Sequence, residues 1–200
     1  MAIPVTVVCE DDLSGALILK LLGHFGNKYE VPESYINAHG FGNIKKNIVA
    51  YNNASAYSAY FVLTDLDRKK CAPGLISEWL NKEKSPNLIF RVAVREVEAW
   101  LLADRKNFSL WTGLSEVNIP KNSEQEEDPK ALLINLIKKS RKRLLKEDIL
   151  PAPNAKLGPN YNGRMIEFVN NHWDIEKAAE NCNSLKKAIV NLERYQFKPL

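Results

Sequence analysis

Near-continuous apolar runs at residues 3–9, 57–63 and 88–94 have the length and β-branched content of strands buried on both faces. The segments between them switch to helical spacing. Leu13, Leu17, Leu21 and Phe25 fall on one face beside Ala16 and Leu22, and Gly26-Asn27 follows as a stop. Gly40-Phe41-Gly42-Asn43 opens a second helix running to Tyr51, residues 73–84 read as a helix with proline near its start, and residues 96–104 as another. A short strand over 29–36 belongs at a sheet edge, because Pro32 cannot donate to a ladder. Strands alternating with helices at this pitch predict an α/β fold with a doubly wound, mostly parallel sheet.

Beyond about Phe108 the pattern changes. Residues 122–128 are polar and acidic and read as an exposed loop, 129–148 as one strongly basic helix, 150–162 as a Pro/Gly/Asn-rich loop, and the remainder as helical. The expected organisation is an α/β core over 1–107 and a helical C-terminal appendage over 108–200 packed on it as one structural unit. A chain of 200 residues with 45% hydrophobic and 26% charged residues suits such a domain. Cys9, Cys71 and Cys182 are an odd number without metal-site spacing, which excludes a disulfide framework and points to a reducing cytoplasm. No leader or membrane-length apolar run is read in the sequence.

The chemistry is concentrated where apolar runs end. Val5-Thr6-Val7-Val8-Cys9 delivers Glu10 to the carboxyl end of one strand, and Phe61-Val62-Leu63-Thr64 delivers Asp65 and Asp67 to the end of another. Ligands of open parallel sheets bind just outside the carboxyl ends of the strands. Asp65 and Asp67, two apart, project to one side if the backbone stays extended. Converging carboxylates repel, and a hard divalent cation such as Mg²⁺ relieves that repulsion while keeping waters for a substrate phosphate. The competing reading makes these acids strand-end and helix N-terminal caps.

The stretches Val8-Cys9-Glu10-Asp11-Asp12 and Val62-Leu63-Thr64-Asp65-Leu66-Asp67 resemble the Toprim fold, whose signature is a glutamate after the first strand and Asp-x-Asp after a later one. Four further segments resemble the small stand-alone Toprim family DUF4276: Gly40-Phe41-Gly42-Asn43-Ile44-Lys45-Lys46, Arg95-Glu96-Val97-Glu98-Ala99-Trp100-Leu101-Leu102-Ala103-Asp104, Asp128-Pro129-Lys130-Ala131 and Gly158-Pro159-Asn160-Tyr161-Asn162. One departure is that the glycine usual after the Toprim glutamate is Asp11 here. The resemblance implies a Mg²⁺- or Mn²⁺-dependent nuclease related to the OLD family. Near the same crevice Glu98 reads as a supplementary catalytic ligand or water-orienting group and Asp11 and Glu96 as further metal ligands, or all three as acids favoured by helix N-termini. The resemblance itself gives Glu10, Asp65 and Asp67 as the catalytic, metal-holding residues. It also implies a role in bacterial anti-phage defence beside a separate ATPase subunit. The alternatives are a non-catalytic Toprim module that binds nucleic acid or a partner protein, and an RNA-processing enzyme.

Lys138, Lys139, Arg141 and Arg143 form the clearest positive cluster, and Lys69, Lys156 and Arg164 join them as candidate phosphate contacts, with DNA ahead of RNA as the substrate. The same helix can also be read as a solvated face. Trp100 and Trp173 read as packing residues. Trp111 reads as packing or, with Leu114 and the basic helix, as part of a docking surface for a partner. His24, His39 and His172 show no triad or zinc spacing, and no Walker A sequence is present.

Overall fold

The computed structural model describes residues 1–198. The chain divides into two compact units, one formed by Met1–Val94 with the chain from Lys186 onward, the other by Arg95–Leu185.

The first unit is the α/β sheet that the apolar runs predict. Its elements are β1 (Ile3–Cys9), α1 (Asp12–His24), β2 (Tyr29–Glu30), β3 (Ile36–Asn37), α2 (Phe41–Ala54), β4 (Ala59–Asp65), α3 (Ala72–Leu80) and β5 (Leu88–Ala93). All pairings are parallel, in the order β2-β1-β4-β5, with β3 also beside β1. The edge strand expected over 29–36 is two shorter ones. β2 pairs with Ile3 and Pro4 at the start of β1, β3 with Val8 and Cys9 at its end, and Pro32 lies in the gap between them.

Strand alternation sorts the core into two faces. Val8, Val62 and Phe90 stand in register and pack with Leu88 and Val92 against Ile44 and Ile48 of α2 and Leu75, Trp79 and Leu80 of α3. The intervening row, Val7, Phe61 and Ile89, is equally buried, and α1 packs on β1 and β4 with Leu13, Leu17 and Leu21 fully enclosed. Burying each such side chain stabilises the fold by roughly 1.5–3 kcal/mol. The C-terminal chain is tied to the same unit. Lys28 Nζ donates to the Leu192 carbonyl at 2.8 Å, and buried Asn87 exchanges hydrogen bonds with the backbone of Lys198 at 2.8 and 2.9 Å.

The second unit is helical: α4 (Val97–Ala103), α5 (Arg105–Thr112), α6 (Pro129–Lys139), α7 (Arg143–Ile149), α8 (Tyr161–Asn171), α9 (Ile175–Asn181) and the first turn of α10 (Asn183–Arg194). Every residue of α4 is buried, which makes it the axis of this unit. Trp100 Nε1 donates to Ser184 Oγ at 2.7 Å, and Trp173 Nε1 donates to the Trp100 carbonyl at 3.0 Å, so both indoles are packed with their polar atoms satisfied. Among the described residues no helix is long and apolar enough to cross a membrane.

Two sequence expectations are corrected here. The basic segment 129–148 is not one helix, because Ser140 interrupts it. Its buried hydroxyl donates to the Thr112 carbonyl at 2.5 Å and accepts from the Lys142 N–H at 3.0 Å, while its backbone turns extended. The acidic stretch 122–128 is not a free loop. Ser123 is buried and donates to the Ala99 carbonyl at 2.6 Å, and Glu124 accepts the Asn183 and Ser184 N–H groups at 2.8 Å each.

The longer family-like segments have structural reasons within this unit. Asp104 is buried, caps α5 through the Asn107 N–H at 3.2 Å and accepts the Asp174 N–H at 2.8 Å. Asp128 caps α6 through the Ala131 N–H at 2.7 Å, with Pro129 in the first turn where a missing N–H costs nothing. Gly158 lies against the end of α7, its N–H on the Ile149 carbonyl at 3.1 Å, and the Asn160 N–H follows onto Asp148 at 2.9 Å. A Cβ at 158 would stand 2.3 Å from the Ile149 carbonyl carbon and 2.4 Å from the Asp148 oxygen. Backbone cannot yield as a side chain does, so Gly158→Ala is expected to destabilise the protein by about 1–3 kcal/mol. Denaturant titration of the variant measures this, and an unchanged midpoint would contradict the contact.

Candidate functional site

The strand order reverses between β1 and β4. From β1 the chain passes to β2 and β3 on one side, then crosses back to β4 and β5 on the other. In open parallel sheets this reversal leaves a crevice at the carboxyl ends of the two strands. Glu10 follows β1 directly, and Asp65 is the last residue of β4.

Glu10 is fastened across that gap. Its Oε1 accepts from the Thr64 hydroxyl and from the Asp65 N–H, the latter at 2.9 Å. Its carbonyl accepts the Gly40 N–H at 3.0 Å, which brings the start of α2 to the same edge. Burial pushes the Glu10 carboxyl above the usual glutamate range; the bonds from Thr64 and Asp65 oppose this, and the charges of Asp67 and Asp11 add to it. Glu10, Asp11 and Asp67 are therefore within electrostatic reach of one another.

The expectation that Asp65 and Asp67 project to one side through extended backbone is corrected. β4 ends at Asp65, Leu66 is buried with its N–H on the Ala93 carbonyl at 2.9 Å, and Asp67 is exposed with φ 47°. This left-handed conformation, which Asp tolerates better than most residues, turns the chain out of the strand. Among the described residues no three His, Cys, Asp or Glu side chains are gathered closely enough to hold a metal ion. Glu10, Asp65 and Asp67 share one sheet edge without forming a closed ligand cage. Their donor chemistry, carboxylate oxygens alone, suits a hard divalent cation. The adjacent Cys9 adds no thiolate, since burial pushes its thiol up to about 12.

Asp11 caps α1 by accepting the Ser14 N–H at 2.9 Å, a sufficient structural reason for an acid there. Asp12, which the sequence reading passed over, accepts from Asn37 Nδ2 at 2.7 Å and from the Tyr35 hydroxyl at 3.2 Å. Thr64 was also missed. Its signal was a lone hydroxyl at the end of an otherwise apolar strand.

The basic candidates divide. Lys69 and Lys45 both pair with Glu78, at 2.9 and 2.8 Å. Arg143 pairs with Glu147 at 2.7 Å. Arg164 pairs with Asp148 at 2.7 Å and Glu167 at 2.5 Å, and bridges α7 to α8. Lys138, Lys139, Arg141 and Lys156 are exposed.

Glu96 and Glu98 belong to the second unit. Glu98 is 1% exposed. Its Oε1 accepts the Tyr161 hydroxyl at 3.0 Å and lies 3.3 Å from Lys130 Nζ, while Oε2 is buried with no hydrogen-bond partner. Glu96 accepts the Lys130 N–H at 3.0 Å, at the N-terminus of α6. Burial holds the Glu98 carboxyl up at about 7, with Lys130 opposing and Glu96 reinforcing the shift. Lys130 and Tyr161 stand within two of the family-like segments, but only the fold brings them to Glu98.

Two outcomes are expected. Glu10→Ala leaves the buried Thr64 hydroxyl and the Asp65 N–H without their acceptor and should cost about 1–3 kcal/mol, whereas Glu10→Gln keeps an acceptor oxygen, removes the charge and should be no less stable than wild type at neutral pH. Thermal denaturation of both variants separates the bond from the charge. For Glu98 the folded value lies above the ordinary 4.5, so its contribution to stability is present below that value and is lost as pH rises through about 7. Glu98→Gln should flatten the fall in stability between pH 4.5 and about 7, and an unchanged pH profile would show that Glu98 does not titrate there.

No curated protein and no solved structure matches the chain. The model of the family described as a domain of unknown function, DUF4276, matches residues 15–193, a span that takes in Asp65, Asp67, Glu96 and Glu98 and starts just after Glu10 and Asp11. Covering nearly the whole sequence, that match establishes that the chain belongs to the DUF4276 family.

Proposed function

We propose that the chain is a Mg²⁺- or Mn²⁺-dependent nuclease of Toprim type, cutting phosphodiester bonds at the carboxyl edge of the sheet. The observation that carries this reading is the placement of Glu10 and Asp65 on the two strands that flank the reversal of strand order, with Glu10 hydrogen-bonded into β4 and within reach of the Asp67 and Asp11 charges. Glu10, Asp65 and Asp67 are the residues that would hold the cation, which when bound supplies Lewis acidity and an activated water.

The chain's own contribution is positional and electrostatic. Thr64 and the Asp65 N–H fix Glu10 Oε1, so the remaining oxygen, Oε2, has a defined direction. Burial and the two neighbouring acids raise the proton affinity of Glu10, the direction that suits a group that takes and returns a proton. Exposed Lys138, Lys139, Arg141 and Lys156 are the cations proposed to meet nucleic-acid phosphates. Lys69, Arg143 and Arg164 are secondary, because each already holds a carboxylate. DNA is the proposed substrate, and a separate ATPase subunit in an anti-phage system is the proposed partner, both on the resemblance of the acid motifs.

The test is incubation of the purified protein with plasmid, linear DNA and structured RNA, with Mg²⁺, Mn²⁺ or EDTA. Cleavage should require the metal and fall by about 10²–10⁴-fold in Asp65→Ala and Asp67→Ala. Charge reversal at Lys138, Lys139 and Arg141 should lower the salt slope of binding by about 0.7–0.9 per lost phosphate contact. Wild-type cleavage by both aspartate variants would refute the assignment of the site. Binding without cleavage under every metal condition would make the chain a non-catalytic nucleic-acid module.

A further inference from the structure

Among the described residues two side chains of Phe, Tyr or Trp stand out in solvent, Phe41 at 49% exposure and Tyr57 at 86%. Trp111, read from the sequence as packing or as part of a docking surface, is 5% exposed and packs on Phe168 at 4.9 Å. Tyr57 lies in the turn that leads into β4, at the amino end of the sheet. Phe41 opens α2 at the carboxyl end, one residue after Gly40, whose N–H bonds the Glu10 carbonyl at 3.0 Å. Its ring is stacked on Trp79 of α3, with centroids 6.4 Å apart and planes 23° from parallel, and Trp79 in turn leans on Phe90 of β5 at 6.0 Å. The Trp79 N–H is buried without a hydrogen-bond partner, so what this indole contributes is ring surface. Phe41 is thus braced by two further rings while about half of it faces solvent. A ring ordered in advance loses little freedom when something lies down on it.

The surroundings of the ring are open and positive. A Cβ at Gly40 or at Gly42, the two glycines that flank it, would meet nothing within 4 Å. Gly40 is required by its φ of 111°. Gly42 has no such angle and no crowding neighbour, so the chain itself gives no reason for a residue that weakens a helix, whereas close approach of a ligand does. Residues 41–46 and 68–79 hold five Lys and Arg against one acid, Glu78. Lys45 and Lys69 share that carboxylate at 2.8 and 2.9 Å, so it is outnumbered even there. Lys46, Arg68 and Lys70 are exposed and pair with no carboxylate among the described residues. Arg68 directly follows Asp67, so the positive charge begins where the acidic edge ends. A half-exposed ring beside unneutralised cations suits a nucleobase on the ring and its strand's phosphates on the cations. In a duplex the same base is already stacked and paired, and reaches a protein ring only by leaving the helix.

We infer that Phe41 is a stacking platform for an unpaired base at the carboxyl edge of the sheet, and that the substrate is a single strand. Arg68 and Lys70, with Lys46, hold phosphates of that strand. Phe41 touches the base and takes no part in bond cleavage. This rests on the reading of the carboxyl edge as a site that cuts nucleic acid, and adds to it the form of the substrate.

Fluorescence anisotropy with the full-length protein, in EDTA and in Ca²⁺, tests it on three labelled probes. These are a mixed-sequence DNA strand of about 12 nucleotides, the same strand annealed to its complement, and an abasic strand of equal length that keeps the phosphates and lacks the bases. The wild type should bind the single strand at least about tenfold more tightly than the duplex or the abasic strand. Phe41→Ala should lose about 5- to 100-fold on the single strand and nothing on the abasic one, and Phe41→Trp should restore binding. The salt slope should stay unchanged in Phe41→Ala and fall by about 0.7 per lost contact in Arg68→Glu and Lys70→Glu. Melting temperatures check the fold of each variant, and the abasic comparison uses the wild type alone. The inference is overturned if the wild type binds the abasic strand or the duplex as tightly as the single strand, or if folded Phe41→Ala keeps wild-type affinity. Metal-dependent cleavage of a duplex would leave the nuclease reading standing after either result. Phe41-dependent binding without cleavage in Mg²⁺ or Mn²⁺ would refute that reading and support the platform, and a wild type that binds none of the probes would refute both.

Discussion

Everything at the carboxyl edge of the sheet depends on one side chain reaching between strands. β1 and β4 are adjacent in space and separated in sequence by a helix, two short strands and a second helix, and backbone pairing alone holds them only as far as Val8 and Val62. Beyond that point Glu10 Oε1 continues the connection to Thr64 and the Asp65 N–H. A carboxylate used in this way is partly buried beside two other acids, which is costly for its ionised form and raises its proton affinity. The two bonds that close the sheet edge oppose that rise, while burial and the neighbouring charges of Asp67 and Asp11 produce it. The bonds fix where the carboxylate points, and its surroundings set its proton affinity.

The second unit solves a comparable problem with a different balance. Its central helix, α4, is buried on all sides and carries Glu98 inward, where Tyr161 and Lys130 satisfy one oxygen and leave the other without a partner. A buried half-satisfied carboxyl is a destabilising element in a fold otherwise held by indole hydrogen bonds and helix caps. Tyr161 and Lys130 come from segments whose other members, Gly158 and Asp128, have plain structural work, so a single short motif here combines a cap or close approach with a contact to the buried acid.

The positive charge of the chain is likewise sorted by local geometry. The break at Ser140 turns a uniform basic stretch into two helices, and thereby divides its cations between an exposed group at 138–141 and the start of α7, where Arg143 pairs with Glu147. Lys69, Arg143 and Arg164, indistinguishable from these by composition, are drawn into ion pairs. Exposed pairs of this kind contribute little to stability, but they reduce the field available to an incoming phosphate.

The sequence by itself determined the parallel α/β sheet, its three long strands to within two residues at each end, and the presence of Glu10 and Asp65 where two of them stop. Such features follow from local signals: apolar runs of strand length, helical spacing between them, and the polar residue that stops each run. It also determined the family, since the longer motifs are matched as linear text. Only the tertiary structure decided that the 29–36 strand is two fragments on one edge, that Ser140 splits the basic helix, and that Asp67 leaves the strand through a left-handed turn. It alone decided which cations are neutralised and that Glu98 is enclosed with Lys130 and Tyr161. Those outcomes turn on hydrogen bonds and ion pairs between residues far apart in the chain, whose free energy exists only once the fold has brought the partners together.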